Sequence, residues 1–179
     1  MRKLKNEELD RLTTEEYKRS VKIPVVVVLD NVRSLNNIGS VFRTCDAFRI
    51  RQVYLCGITA CPPHREIRKT ALGATETVAW TYFEKTSEAV HSLRKSGYTI
   101  VAVEQADEST PLESWDVASG NACAIVFGHE VYGVGEEIVG MSDICVEIPQ
   151  AGTKHSLNIS VSAGIVLWEV FKAFRQNLG

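Results

Sequence analysis

The sequence predicts an α/β fold, an open and mostly parallel sheet flanked by helices on both faces. Three observations carry that expectation. Residues 25–29 read Val-Val-Val-Val-Leu, an unbroken and largely β-branched run that suits a strand buried on both faces. Strand-like and helix-like segments then alternate along the chain. Finally, polar or glycine-bearing loops follow three of the buried strands directly, where open α/β sheets hold their ligands.

The chain has 179 residues, 45% hydrophobic and 23% charged, enough for one domain with a sizeable core. Residues 1–22 read as a short N-terminal helical arm. Thr13 and Glu16 there have capping-box spacing, and Leu4, Leu9 and Leu12 give only a sparse apolar stripe. Residues 23–179 form the main domain, with Pro24 opening the first strand. After the polar loop 30–36, a helix capped by Asn36 or Asn37 shows an apolar face of Ile38, Val41, Phe42, Cys45 and Phe48. Further strands are expected at 52–56, 99–103, 122–127 and 144–148, with a weaker one at 78–82. Helices are expected at 87–96, at 136–141 and from 157 to about 176.

Composition narrows the function classes. No apolar stretch is long enough to span a bilayer, and the charged N-terminal segment lacks a signal-peptide core, so a cytoplasmic protein without a membrane is expected. Five cysteines without a Cys-x-x-Cys pair read as reduced thiols, not a disulfide framework or zinc ribbon. The four histidines show no metal-ligand spacing, so no metal is expected. The net charge of −2 hides an asymmetry. Residues 1–70 carry 14 Lys and Arg against 8 Asp and Glu, and the rest of the chain reverses the balance. The basic half is either a surface for a polyanion or a solvated face without a partner.

Chemistry concentrates in the three post-strand loops. On the first helix Asn36, Gly39 and Arg43 share one side, and Gly39 in an early turn points to close approach by another backbone or a ligand. Arg43 offers a planar cation to a phosphate or carboxylate, or else pairs with Asp46 at i, i+3. In Gly128-His129-Glu130-Val131-Tyr132-Gly133-Val134-Gly135, Glu130 follows the strand end, as a reacting group or as a capping or solvated carboxylate. That loop lacks the Lys-Ser/Thr of a P-loop, and no Gly-x-Gly-x-x-Gly follows a strand. In the third segment, Pro149 to Ser162, Ser156 is a natural cap for the long helix, which leaves Asn158 and Ser160 as polar groups crowding the strand ends.

Together these segments resemble the three motifs of the SpoU/TrmH branch of the SPOUT RNA methyltransferases. Asn37, Gly39 and Arg43 match Asn-x-Gly-x-x-x-Arg, continued by Thr44-Cys45-Asp46-Ala47-Phe48. Gly128 and Glu130 match the Gly-x-Glu motif, and Pro149 with Ser156-Leu157-Asn158-Ile159-Ser160 matches the third. The resemblance covers residues 25–174. It implies a C-terminal deep trefoil knot, a homodimer, and transfer of a methyl group from S-adenosylmethionine to an RNA ribose 2′-hydroxyl. It further implies a cofactor held by Val103, Glu104, Gly128, Ile148, Ser156 and Leu157, and a catalytic set of Arg43, Asn37, Glu130, Ser156 and Asn158. Guanidinium keeps its proton in almost any protein setting, so Arg43 fits phosphate binding and charge stabilisation better than a literal base. Arg2, Lys3, Lys5, Arg65, Arg68 and Lys69 would meet RNA phosphates. Transfer RNA is the preferred substrate over ribosomal RNA, because a compact dimer can engage it without a further domain. The competing reading is a catalytically silent RNA-binding scaffold that keeps the fold.

Overall fold

The computed structural model describes residues 1–117 and 122–178. Seven strands form one sheet: β1 (Ile23–Asp30), β2 (Ile50–Cys56), β3 (Ala79–Phe83), β4 (Thr99–Val103), β5 (Thr110–Pro111), β6 (Cys123–Phe127) and β7 (Ile144–Glu147). Their order is β3-β2-β1-β6-β4-β7-β5, with parallel pairing throughout. The run 25–29 thus lies at the centre, between β2 and β6. Its side chains alternate as a pleated strand demands: Val25, Val27 and Leu29 enter one core cluster, Val26 and Val28 the other. On the first face pack α1 (Thr14–Arg19), α2 (Leu35–Ala47), α3 (Arg65–Ala71), α4 (Ala74–Thr77) and α7 (Ile159–Phe174). On the other face lie α5 (Thr86–Lys95) and α6 (Glu136–Met141).

The capping box of Thr13 and Glu16 is formed in both directions, and it starts α1. This helix is not a free arm, since Tyr17 is buried in the core. Both helix starts that border the site differ from the sequence reading. α2 is capped by Ser34, whose hydroxyl accepts the Asn37 N–H at 3.3 Å, and not by Asn36 or Asn37. α7 is capped by Asn158 and not by Ser156, because the Asn158 carboxamide oxygen takes the Ser160 N–H at 2.9 Å. The segment before it stays outside the helix, and His155, Ser156 and Leu157 there line the cavity.

Helices α3 and α4 carry no amphipathic signal long enough to read; their buried side chains are Ile67, Ala71 and Ala74 alone. They matter for Gly39. A Cβ there would sit 2.1 Å from Thr70 Oγ1 and 2.3 Å from the Ile67 carbonyl oxygen. The close approach that Gly39 requires is therefore made by the α3 backbone, not by a ligand. Strand β5 ends in Pro111, tolerable because it lies at the sheet edge. Among the described residues no helix is long and apolar enough to cross a membrane.

Candidate active site

The three loops singled out by the sequence meet beyond the carboxyl ends of β1, β6 and β7, with the loop after β4 beside them. The loop after β6 is the most constrained. His129 and Gly133 exchange backbone hydrogen bonds, each 2.9 Å, and Gly133 closes the turn at φ 67°. Gly128 packs so closely that a Cβ would lie 2.0 Å from the Gly133 carbonyl carbon. The Glu104 carboxylate fastens the same turn, accepting the Val134 N–H at 2.9 Å through one oxygen and the Gln105 N–H at 2.8 Å through the other.

That rigid turn aims Glu130 at the start of α2. Its carboxylate accepts the backbone N–H groups of Arg33 at 3.0 Å and Ser34 at 2.8 Å, and the Asn37 side-chain amide at 3.0 Å. Helix N-termini present such unpaired N–H groups and favour negative charge. Partial burial is the largest influence on the Glu130 carboxyl and works to raise its pKa. The N–H groups of Arg33, Ser34 and Glu130 itself and the Asn37 amide together outweigh it, so the group sits below its ordinary value and stays ionised. Asn37 in turn accepts the Asn158 side-chain amide at 3.2 Å, and the Asn158 oxygen accepts the Ser160 N–H at 2.9 Å and hydroxyl at 2.7 Å. One hydrogen-bonded chain thus runs from Glu130 through Asn37 to Asn158, drawing one residue from each loop.

Beside this chain lies a cavity of about 320 Å³. Val103, Glu104, Gly128, Ile148, Ser156 and Leu157 all line it, together with Glu130, Phe127 and Ile159. A donation from the Gln105 side-chain amide to the His155 carbonyl, 2.7 Å, ties the β4 loop to the loop before α7 across the cavity. Apolar side chains, backbone edges and a few convergent polar groups suit a small organic ligand. Among the described residues no group of three His, Cys, Asp or Glu is placed to hold a metal ion.

Two expected residues stand apart. Ser156 lines the cavity and takes no part in the Glu130–Asn37–Asn158 chain. Arg43 is exposed on α2, outside the cavity lining, and it has no hydrogen bond or ion pair with any described residue. It does not pair with Asp46, which accepts the Thr77 hydroxyl instead. The sequence reading missed the backbone N–H groups of Arg33 and Ser34, which carry no side-chain signature, and the part played by Gln105. Ser34 alone offered a signal, as a cap residue before an apolar-periodic segment.

A parallel sheet with this network and cavity at its carboxyl edge has the layout of an open α/β fold that holds its ligand beyond the strand ends. The model of the SpoU rRNA methylase family matches residues 24–168. The tRNA (guanosine(18)-2′-O)-methyltransferase of Thermus thermophilus is 30% identical over 171 residues, 96% of this chain and 84% of that one. The 23S rRNA (guanosine-2′-O-)-methyltransferase of Nitrosomonas europaea is 33% identical over 87% of this chain, which spans 58% of that protein's length. The crystal structure of the TrmH/SpoU tRNA modifying enzyme of Aquifex aeolicus superposes with a TM-score of 0.81 at 26% identity, covering 92% of this chain and 82% of that one. The AdoMet-bound rRNA methyltransferase of Sinorhizobium meliloti gives 0.78 at 27% identity, covering 93% and 60%. The chain belongs to the SpoU family of S-adenosylmethionine-dependent RNA 2′-O-ribose methyltransferases.

Proposed function

We propose that this protein methylates a ribose 2′-hydroxyl of transfer RNA as a homodimer, with Arg43 as its central catalytic residue. The observation that carries the site assignment is the hydrogen-bonded chain Glu130–Asn37–Asn158 at the edge of the cavity. S-adenosylmethionine, held by Val103, Glu104, Gly128, Ile148, Ser156 and Leu157, supplies a methyl group already activated by its sulfonium. The protein's own task is to align the attacking oxygen and stabilise the charge that grows on it as its proton leaves.

Asn37 is gripped at both ends of its carboxamide, by Glu130 and by Asn158, and so presents a fixed dipole beside the cavity. Glu130, ionised and occupied by donors, is a positioning group and not a proton donor. Arg43 binds the phosphate next to the target ribose and offsets the developing oxyanion. Its exposure leaves the guanidinium free for that phosphate. The same exposure is consistent with a second copy completing the site. Val161, Ile165 and Trp168 form an exposed apolar strip on α7, continuous with Phe48 at the end of α2, and a second protomer seated there would bury it.

The expected trefoil knot of the C-terminal segment rests on membership of the SpoU family. The preference for tRNA rests on the likeness to the tRNA methyltransferase of Thermus thermophilus. Among the described residues Lys3, Lys5, Arg65 and Arg68 engage no carboxylate and remain available to phosphates. The test is incubation with labelled S-adenosylmethionine and separated tRNA and rRNA. Wild type labels tRNA. Arg43→Ala loses transfer while S-adenosylmethionine affinity, read by calorimetry, stays within about twofold. Full activity in that variant overturns the role of Arg43, and a wild type that binds RNA yet transfers no label is a scaffold.

A further inference from the structure

The turn between β6 and α6 spends two large apolar side chains on solvent. Tyr132 is 83% exposed and Val131 66%, yet both border the cavity beside Glu130. This is not the exposure of a loose loop tip. The His129–Gly133 bridge closes the turn, and Glu104 anchors it through Val134. His129 Nδ1 accepts the Val131 N–H at 2.9 Å, which fixes the imidazole and leaves its other nitrogen to carry the proton. The fixed imidazole then backs the Tyr132 ring, with centroids 4.8 Å apart and planes inclined by 31°. One side of the tyrosine is supported by the protein, and its exposure leaves the rest open to solvent.

A flat aromatic ring held rigidly at the mouth of a polar site is what an unstacked base requires. Proteins that read single-stranded or splayed RNA hold bases on aromatic faces, and such stacking tolerates any base because each has a π-face. A ribose brought to Asn37 and Glu130 carries its base on the carbon next to the one that bears the 2′-hydroxyl, and Tyr132 is two residues from Glu130 on the same hydrogen-bonded turn. We propose that Tyr132, backed by His129, is the stacking platform for the nucleobase of the nucleotide whose ribose is methylated. The proposal rests on the reading of the site as an RNA ribose methyltransferase. It adds a base-binding site outside the catalytic motifs.

The experiment uses the full chain with Tyr132→Ala and Tyr132→Phe. RNA affinity is measured by filter binding in the presence of S-adenosylhomocysteine, S-adenosylmethionine affinity by calorimetry, and oligomeric state by gel filtration. The platform predicts that Tyr132→Ala weakens RNA binding by about tenfold or more. It also predicts unchanged S-adenosylmethionine affinity, melting temperature and oligomeric state, and near wild-type RNA binding in Tyr132→Phe. Weakened S-adenosylmethionine binding with RNA binding intact would give the ring to the cofactor cavity. A change of oligomeric state would give it to a subunit contact. Equal loss in the Phe variant would give the work to the hydroxyl. Each of these, or no effect of Tyr132→Ala, overturns the platform. A wild type that binds RNA without labelling it defeats the proposed activity alone, because the affinity comparison needs no transfer.

Discussion

Two carboxylates stand at the carboxyl ends of adjacent central strands and make similar bonds to different ends. Asp30 closes β1; it is 4% exposed and accepts the Thr86 hydroxyl at 2.5 Å, the Asn31 side-chain amide at 2.8 Å and the Gly135 N–H at 3.0 Å. Glu130 follows β6 and accepts two backbone N–H groups and the Asn37 amide. Each satisfies its charge with local donors, as a charge withdrawn from water must. The difference lies in where the network ends. Asp30 ties the last residue of β1 to the start of α5 and to the residue before α6, and nothing continues from it toward the cavity. Glu130 borders the cavity, and its partner Asn37 passes the alignment on to Asn158. A well-bonded carboxylate is thus structural by default; what makes one functional is an opening onto a ligand space.

The sharpest way to break this comparison is to remove each carboxylate in turn. Glu130→Ala releases Asn37 and should lower methyl transfer by about 100-fold or more, the scale expected when reacting groups are misaligned by about an ångström. Its melting temperature should fall less than that of Asp30→Ala. The latter strands buried donors and should cost about 1–3 kcal/mol of stability, or roughly 3–10 °C for a chain of this size. Transfer by its folded fraction should remain. Activity assays paired with thermal melts decide: an Asp30→Ala protein that melts normally but is inactive would erase the distinction.

A smaller effect tests the scaffold beneath Glu130. Gly39→Ala drives a Cβ into the backbone of α3 and should cost about 1–3 kcal/mol, the range for overpacking. Since Gly39 lies on the helix that carries Asn37, S-adenosylmethionine affinity should hold while stability drops. Calorimetric binding together with denaturant melts measures both. A loss of affinity at unchanged stability would mean that Gly39 faces the cofactor and not α3.

Much of this fold was legible in the chain. The run 25–29 announced a central strand; the strands at 99–103 and 122–127 lie within a residue of the observed ones, and that at 52–56 within two. Helices α3 and α4 were not legible, because three small or single apolar side chains on short turns leave no period to detect. The two caps were each misplaced by two or three residues for one reason: several polar side chains stood together, and only tertiary contacts decided which served the helix. In the site, the motif residues were visible and their connections were not. Glu130 finds its backbone donors 96 and 97 positions away, at N–H groups that any residue type except proline would supply. Arg43 shows the converse, since its motif is plain in the sequence while the geometry of one chain leaves it unengaged.

The smallest expected effect concerns the pH dependence of Glu130 alone. The Glu130 pKa is lowered in the folded protein; burial raises it, but the N–H groups of Arg33, Ser34 and Glu130 itself and the Asn37 amide prevail. In the unfolded chain it returns to about 4.3. A depressed folded value means that the unfolded state binds the proton more readily, so stability rises with pH across that interval. The contribution is complete above the unfolded pKa and disappears as pH falls through the lower folded one. The melting-temperature difference between wild type and Glu130→Gln should therefore be constant from about pH 6 to 8 and narrow below about pH 4. The change should be small, because the group is only partly buried and its charge is screened by water. A difference that instead grows on acidification would mean that Glu130 is held protonated, and the clamp on Asn37 would then have to be drawn with the carboxyl as a donor.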